Sequence, residues 1–312
     1  MTTRPRPTVP GTVPPTVPVT VLATGGTVAC TTGADGTRTP TRTVADLLQD
    51  AALPATAVRD ARDVLHLDSS TMTLGDLDSL LAEIAAAATQ GPVVLTHGTD
   101  SMEETAMAVD RLIGGPVVLT GAQRPADDAA PDGPGNLRDA LTAAGEVTAP
   151  VIVMGGARVP AYGARKVHTV ADRAFDNPLP DAAPAPLTTT PSPLAGLRVD
   201  IVAAYQGGDA TLVDAAVDAG AAGIVVAAFG SGNVGVLSPG VERALDRGIP
   251  VVICTRVPGG PVDLVYGGPG GGARLARRGV RSGGLLSPAQ ARMELLCELA
   301  VTRRDCPAGP RG

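Results

Sequence analysis

The sequence predicts an α/β protein in which a larger N-terminal unit built on a parallel sheet is followed by a smaller α/β unit. Three observations predict it. Short apolar runs alternate with segments whose leucines recur at helical spacing, the pattern of parallel strands joined by right-handed crossovers. Polar clusters follow those runs, so they gather at the carboxyl edge of the sheet, where open parallel sheets bind ligands. Residues 177–196 (NPLPDAAPAPLTTTPSPLAG) are rich in proline and threonine without periodicity, which reads as a linker. The expected organisation is a disordered tail over 1–16, a catalytic α/β domain over 17–176, the linker over 177–196 and a second α/β domain over 197–312. A chain of 312 residues is long enough for two cores, since single cores rarely grow beyond roughly 250 to 300 residues.

Charge and composition exclude several function classes. A formal net charge of -6 and a pI near 5.1 argue against nucleic acid and against an anionic membrane surface, both of which favour a basic face. No apolar run approaches the roughly 18 residues that span a bilayer. The opening MTTRPRPTVPGTVPPTVP carries Arg4 and Arg6, but prolines interrupt it throughout, so no secretory signal is expected. Cys30, Cys254, Cys297 and Cys306 show neither CxxC nor Cys/His ligand spacing, so a reduced, cytoplasmic protein without a structural metal is expected. One cation stands apart: of 25 basic residues, Lys166 is the single lysine. Lysine can lose its proton where guanidinium effectively cannot, so a role in proton transfer would account for it. Chance is the competing reading, because one lysine must fall somewhere.

Residues 17–23 (VPVTVLA) form the first expected strand and run into Thr24-Gly25-Gly26-Thr27. A glycine turn there lets backbone amides approach a ligand and lifts the Thr27 hydroxyl into the open. Residues 30–43 (CTTGADGTRTPTRT) are small, polar and broken, either a lid beside Thr27 or a plain connection. Thr43 caps a short helix over 44–53. Residues 63–67 (DVLHL) make a second strand with Asp68-Ser69-Ser70-Thr71 at its end, and Leu74, Leu77, Leu80, Leu81 and Ile84 mark a helix. On local evidence helix capping accounts for that polar cluster, and His66, alternating with apolar neighbours, reads as structural.

The chain is organised around residues 93–105 (VVLTHGTDSMEET). Residues 93–95 are a buried strand, and Ser101 with Glu104 has the spacing of a capping box. Thr99 and Asp100 therefore lie between a strand's carboxyl end and a helix N-terminus, which favours negative charge. Residues 116–120 and 151–154 are further strands, separated by a helix from Asn136. After them GGARVPAYGARKVHT carries Lys166, His168 and Thr169. Beyond the linker, 199–204, 223–227 and 249–253 are strands, with helices near 211–219, 239–247 and 288–302. Ser238-Pro239 and Ser287-Pro288 each supply an N-cap and a first helical residue.

Two hydroxyls, Thr27 and Thr99, the Asp100 carboxylate and Lys166 form a chemically coherent set. A threonine hydroxyl is a poor nucleophile until a neighbour takes its proton, and Thr-Lys and Ser-Lys pairs supply one. Amides beside Thr27 would stabilise the oxyanion of acyl transfer. Spacing alone does not bring these groups together.

TGGTVA (24–29), DSSTM (68–72), HGTDSMEETA (97–106), TGAQRP (120–125), DGPGNLRDA (132–140) and ARKVHT (164–169) resemble, in order, the signatures of bacterial-type L-asparaginases and glutaminase-asparaginases. GSGN at 230–233 and SPAQAR at 287–292 agree, so the resemblance covers nearly the whole chain. It implies a flavodoxin-like N-terminal domain, a smaller C-terminal α/β domain, and a homotetramer built as a dimer of dimers with sites between subunits. It further implies hydrolysis of the side-chain amide of L-asparagine to aspartate and ammonia, with Thr27 as the acylated nucleophile. Thr99, Lys166 and Asp100 would be the second hydroxyl, its base and the supporting carboxylate. Asp100 would also bind the substrate's α-amino group, Ser69 and Ser70 would hold its α-carboxylate and α-amino end, and Asn233 would reach the site across the dimer interface. No metal or organic cofactor is implied.

Two departures from the family pattern follow. Many members carry a tyrosine in the loop after the first threonine, whereas 30–43 has none and the only tyrosines are Tyr162, Tyr205 and Tyr266. Thr37, Thr39 or a water would take its place. The family's C-terminal carboxylate has no clear match in VYGGPGGGARL (265–275). Other amides are therefore alternative substrates: glutamine, a peptide-linked asparagine, or a tRNA-linked transfer, the last disfavoured by the absence of basic character. A binder without turnover is the alternative outside catalysis.

Overall fold

The computed structural model describes residues 17–305 apart from Thr189, so the expected tail over 1–16 and Cys306 lie outside the described residues. β1 (Val19–Gly25) is buried along its whole length, because helices cover both faces of a parallel sheet. β2 (Cys30–Thr32) and β3 (Arg38–Pro40) pair as an antiparallel hairpin. α1 (Val44–Asp50) starts where Thr43 and Asp46 exchange side-chain and backbone bonds, the capping that the sequence led us to expect. β4 (Val58–Leu67) begins earlier than expected. α2 (Leu74–Ala88) opens on a second such box, Thr73 with Asp76, and buries Leu77, Leu80, Leu81 and Ile84. β5 (Val93–Thr96), α3 (Met102–Leu112), β6 (Val117–Thr120), α4 (Gly133–Ala144) and β7 (Val151–Met154) then alternate.

β8 (Ala157–Pro160) departs from the expected parallel alternation. It returns antiparallel to β7 through Gly155 and Gly156, whose φ values of 59 and 73° are those of a two-residue primed hairpin turn. The sheet order is β4-β1-β5-β6-β7-β8. Counted along the chain, its parallel strands run in the flavodoxin-like order, with the reversal of winding between β1 and β5. The helices that follow those two strands, α1 and α3, lie on opposite faces of the sheet, the switch point at which such sheets bind ligands. Thr27 follows one strand and Thr99 the other.

Two dipeptide strands, β9 (Arg165–Lys166) and β10 (Phe175–Asp176), pair antiparallel with Lys166 opposite Phe175. The second unit contains β11 (Val199–Ala203), α5 (Thr211–Asp218), β12 (Gly223–Ala228), α6 (Ser238–Asp246), β13 (Val251–Thr255), α7 (Gly272–Ala276), β14 (Arg281–Ser282) and α8 (Pro288–Asp305). Its four strands are parallel, in the order β11-β12-β13-β14. Among its described residues the stretch between the units carries no helix or strand, yet it is bonded to the first unit: the amides of Leu194 and Ala195 donate to the Asp78 carboxylate at 2.8 and 2.9 Å.

α8 packs against β11 and β12 of its own unit and against α3 of the first. One apolar core therefore runs through both, joining Leu95, Met107 and Leu112 to Val199, Val225, Leu295 and Leu296. At this junction Arg111 donates to Glu294 at 2.7 Å, and its guanidinium lies 5.9 Å from the Tyr162 ring centroid. Next to it Asp110 is buried with one carboxylate oxygen unpartnered, and burial pushes its pKa up to about 6. An acid raised above its unfolded value favours the folded state only while protonated. That contribution is complete below about pH 4 and is lost as pH rises through about 6. Asp110→Asn is therefore expected to raise stability at pH 7.5 by on the order of 2 kcal/mol, with the gain vanishing near pH 4. Thermal unfolding at both pH values checks this; an equal gain at both would mean that packing, and not charge, is responsible.

Candidate active site

β1 ends at Gly25 and Gly26, and φ of 71° at Gly26 suits only glycine. Space enforces the same choice: a Cβ on Gly26 would lie 2.4 Å from the Cα of Gly98, and one on Gly98 would lie 2.5 Å from Ser69 Oγ. The backbones leaving β1, β4 and β5 thus touch, and each carries a hydroxyl residue at or beside the contact. Thr27 opens a 3-10 turn, Thr27–Ala29, and is half-buried. Thr24 Oγ1 donates to the Thr96 carbonyl at 3.1 Å and ties the ends of β1 and β5 together.

His97 follows β5 and is fully buried. Burial lowers its pKa to about 4, so it is neutral at pH 7. In that state Nδ1–H donates to the Gly98 carbonyl at 2.7 Å and Nε2 accepts from the Thr105 hydroxyl at 3.0 Å, which fixes the turn carrying Thr99. The sequence reading singled out His66, which is exposed and touches the Pro40 carbonyl, and passed over His97. His97 lies one residue beyond the apolar run 93–95, at the end of a buried strand, and that was the available signal.

The expected capping box at α3 does not form. Ser101 occupies the N-cap without a capping bond, and its hydroxyl donates to the Ser69 carbonyl at 2.8 Å. Glu104 binds Arg292 at 3.1 Å and does not reach back. Partners from other segments outcompete the local bonds.

Lys166 sits on β9, its side chain 19 % exposed. Its Nζ donates to Thr99 Oγ1 at 2.9 Å and to Asp100 Oδ1 at 2.8 Å. Thr99 is buried, while the Asp100 carboxylate is 60 % exposed, so a hydroxyl, an amine and a solvent-facing carboxylate stand in line. A cavity of about 480 Å³ opens beside them, lined by Asp100, Lys166, Val167, His168 and Thr169. A hydroxyl bonded to an amine can surrender its proton when the amine is neutral, and an exposed carboxylate can hold a cationic group.

Ser69 is buried, its hydroxyl has no partner, and it faces Gly98. Ser70 is exposed, and its amide donates to Asp68 Oδ1 at 3.1 Å, so Asp68 shapes this turn. Asn233 stands in the second unit, its backbone paired in both directions with Phe229 at 2.9 Å, and is not among the residues lining the cavity. Thr37 donates to Asp35 at 2.6 Å within the hairpin turn, and Thr39 is an exposed residue of β3. Cys30, which the sequence reading did not connect with the site, donates to the Gly26 carbonyl at 3.3 Å, and burial raises its pKa so that it stays a thiol. Among the described residues, no group of three or more His, Cys, Asp or Glu side chains is placed to hold a metal ion.

Comparison with known proteins yields two family matches in sequence order. The model described as "Asparaginase, N-terminal" matches residues 18–185, and that described as "Glutaminase/Asparaginase C-terminal domain" matches residues 198–306. A probable L-asparaginase of Deinococcus radiodurans is 37% identical over 237 residues, covering 68% of this chain and 73% of that protein. L-asparaginase 2 of Bacillus subtilis is 29% identical over 322 residues, covering 92% of this chain and 83% of that protein. Among solved structures, a probable cytoplasmic L-asparaginase from Campylobacter jejuni superposes with a TM-score of 0.76 at 27% identity, covering 90% of this chain and 94% of that one.

Proposed function

Because the chain belongs to the asparaginase family, we propose that it hydrolyses the side-chain amide of L-asparagine to L-aspartate and ammonia through a threonyl acyl-enzyme. The observation that carries this reading is the line Thr99–Lys166–Asp100, at 2.9 and 2.8 Å, just past the carboxyl end of β5, the strand paired in parallel with the β1 that leads to Thr27. The Thr27 oxygen attacks the amide carbon, forming a C–O bond, while backbone amides around the glycine turn hold the oxyanion. The C–N bond then breaks, and the nitrogen leaves as ammonia with the threonine's proton. Water adds to the ester and gives a proton by way of Thr99 to Lys166; the bond between the acyl carbon and the Thr27 oxygen then breaks, Lys166 returns the proton to that oxygen, and aspartate leaves. The exposed Asp100 carboxylate pairs with the substrate's α-ammonium, and Ser69 and Ser70 bind its α-carboxylate end.

Ammonia release from asparagine, glutamine and β-aspartyl amides tests the reading. Asparagine is expected to be the fastest substrate. A faster rate on glutamine would reassign the substrate, and no turnover together with retained aspartate binding would leave a binding protein. One observation favours a second place for the ester: Lys166 is bonded to Thr99. Acid-quenched enzyme, digested and weighed by mass spectrometry, assigns the acyl group to the Thr27 or the Thr99 peptide.

The proposed assembly is a homotetramer, a dimer of dimers in which Asn233 serves the neighbouring subunit's site. Val236, Val265 and Tyr266 in the unit that carries Asn233, and Val167 and Val170 near Lys166, are apolar side chains left exposed on the single chain. Light scattering measures the mass. Residence in the cytoplasm belongs to the same reading: Cys30, Cys254 and Cys297 are free thiols, as a reducing compartment keeps them.

A further inference from the structure

We propose that Glu103 is a positioning residue: its carboxylate, gripped by the start of α8, anchors the backbone of Lys166 and so aims the amine at Thr99. The inference rests on the role given to Lys166 above.

Glu103 lies in the first turn of α3, but its carboxylate is not left in water to serve the helix dipole. It is largely buried. Oε2 accepts from the backbone N–H of Lys166, and Oε1 accepts from the Ser287 hydroxyl at 3.2 Å. Burial raises its pKa, while those two hydrogen bonds oppose the rise. An acid kept in such a place answers to what it holds.

β9 needs such an anchor. It is two residues long and pairs only with β10, which is also two residues long, and an isolated two-stranded hairpin is marginal in water. Position matters at this point, since a displacement of about 1 Å at reacting groups can cost about a hundredfold in rate.

The other end of the anchor is the SPAQAR signature, which the chemistry leaves unused. Ser287 accepts from the Gln290 amide at 3.1 Å, which caps α8, while its hydroxyl proton goes to Glu103. Gln290 is wholly buried: its Nε2 donates to the Glu103 carbonyl at 2.6 Å and its Oε1 accepts from the Gly163 amide at 2.8 Å. Arg292 joins Glu104 at 3.1 Å to the Val199 carbonyl at 2.9 Å. The beginning of α8 thus holds the first turn of α3 and the segment leading to Lys166 in one network, and the second unit reaches the site without contributing a group to it.

The single lysine makes the test direct. In protein labelled with 13C at lysine Cε, Lys166 supplies the one lysine resonance. Glu103→Ala is expected to move that resonance toward the position and narrow width of a mobile, exposed lysine. In the same variant kcat falls about a hundredfold while KM stays within about threefold. Glu103→Gln, whose amide oxygen still accepts from the Lys166 N–H, keeps the resonance in place and at least about a tenth of kcat. A resonance unmoved in a folded Glu103→Ala protein overturns the proposal whether or not the wild type turns over asparagine. A resonance that moves in Glu103→Ala, when the wild type itself turns over no amide, upholds the positioning and rejects the asparaginase reading. Should Glu103→Ala fail to fold, Ser287→Ala decides, since it removes only the grip of α8: an unmoved resonance there overturns the link to the second unit.

Discussion

Lys166→Arg lowers kcat on asparagine by about a thousandfold, the upper part of the range for losing a positioned base, while the assembly and melting temperature remain those of the wild type. Arginine retains the positive charge and can still bond Asp100, so any role that needs only charge survives the change. It cannot serve as a base, because guanidinium keeps its proton throughout the accessible pH range. The planar head is also larger than the ammonium that now sits 2.9 Å from Thr99 and 2.8 Å from Asp100, so the line of three groups is disturbed as well. Lys166→Met removes charge and basicity together: equal losses in the Arg and Met variants show that charge alone contributes nothing to the rate. Steady-state ammonia release measures both. A Lys166→Arg rate within tenfold of the wild type would remove the lysine from the proton path.

Thr27→Ala is expected to abolish turnover more completely, by about ten-thousandfold, because it deletes the group proposed to form the ester and not a helper to it. Stability changes little. Thr27 is half-buried in a short 3-10 turn, and the close contact that fixes the turn is made by the backbone of Gly26 against Gly98, which the substitution leaves alone. Loss of a hydroxyl and a methyl there costs under about 1 kcal/mol. Thr27→Ser, which keeps the oxygen, is expected to retain measurable turnover. Mass spectrometry of the quenched variant gives the second readout: no acyl group accumulates anywhere in Thr27→Ala. An ester found on Thr99 in that variant would transfer the nucleophile's role to Thr99, whose hydroxyl Lys166 already holds.

Much of the fold was legible because its signals are local. β1, β5, β6 and β7 are runs of Val, Leu, Ile and Thr buried on both faces, and that burial is written as near-continuous apolarity. Thr43 announced its helix because it finds its partner, Asp46, three residues on; Thr73 caps α2 with Asp76 in the same way, though there the leucine spacing carried the reading. Ser101 and Ser238 carried the same kind of signal and did not cap: Ser101 bonds Ser69, and Ser238 is the first helical residue, bonded to Glu242 at 3.3 Å. β8, α7 and β14 escaped notice for a related reason. β8 and β14 take their form from the strand beside them, and α7 is five residues in a glycine-rich stretch without an apolar repeat.

By itself the sequence determined the alternation of strands and helices, the carboxyl-edge position of Thr27, Ser69 and Thr99, and the oddity of one lysine in an arginine-rich chain. All of these depend on residue type and on spacing within a few positions. Only the tertiary structure decided that Lys166 meets Thr99 and Asp100, and that Glu103 links β9 to α8. Those bonds join residues separated by tens to hundreds of positions. Their partners are chosen by which backbones the sheet order brings into contact, and nothing in the spacing of a linear chain encodes that.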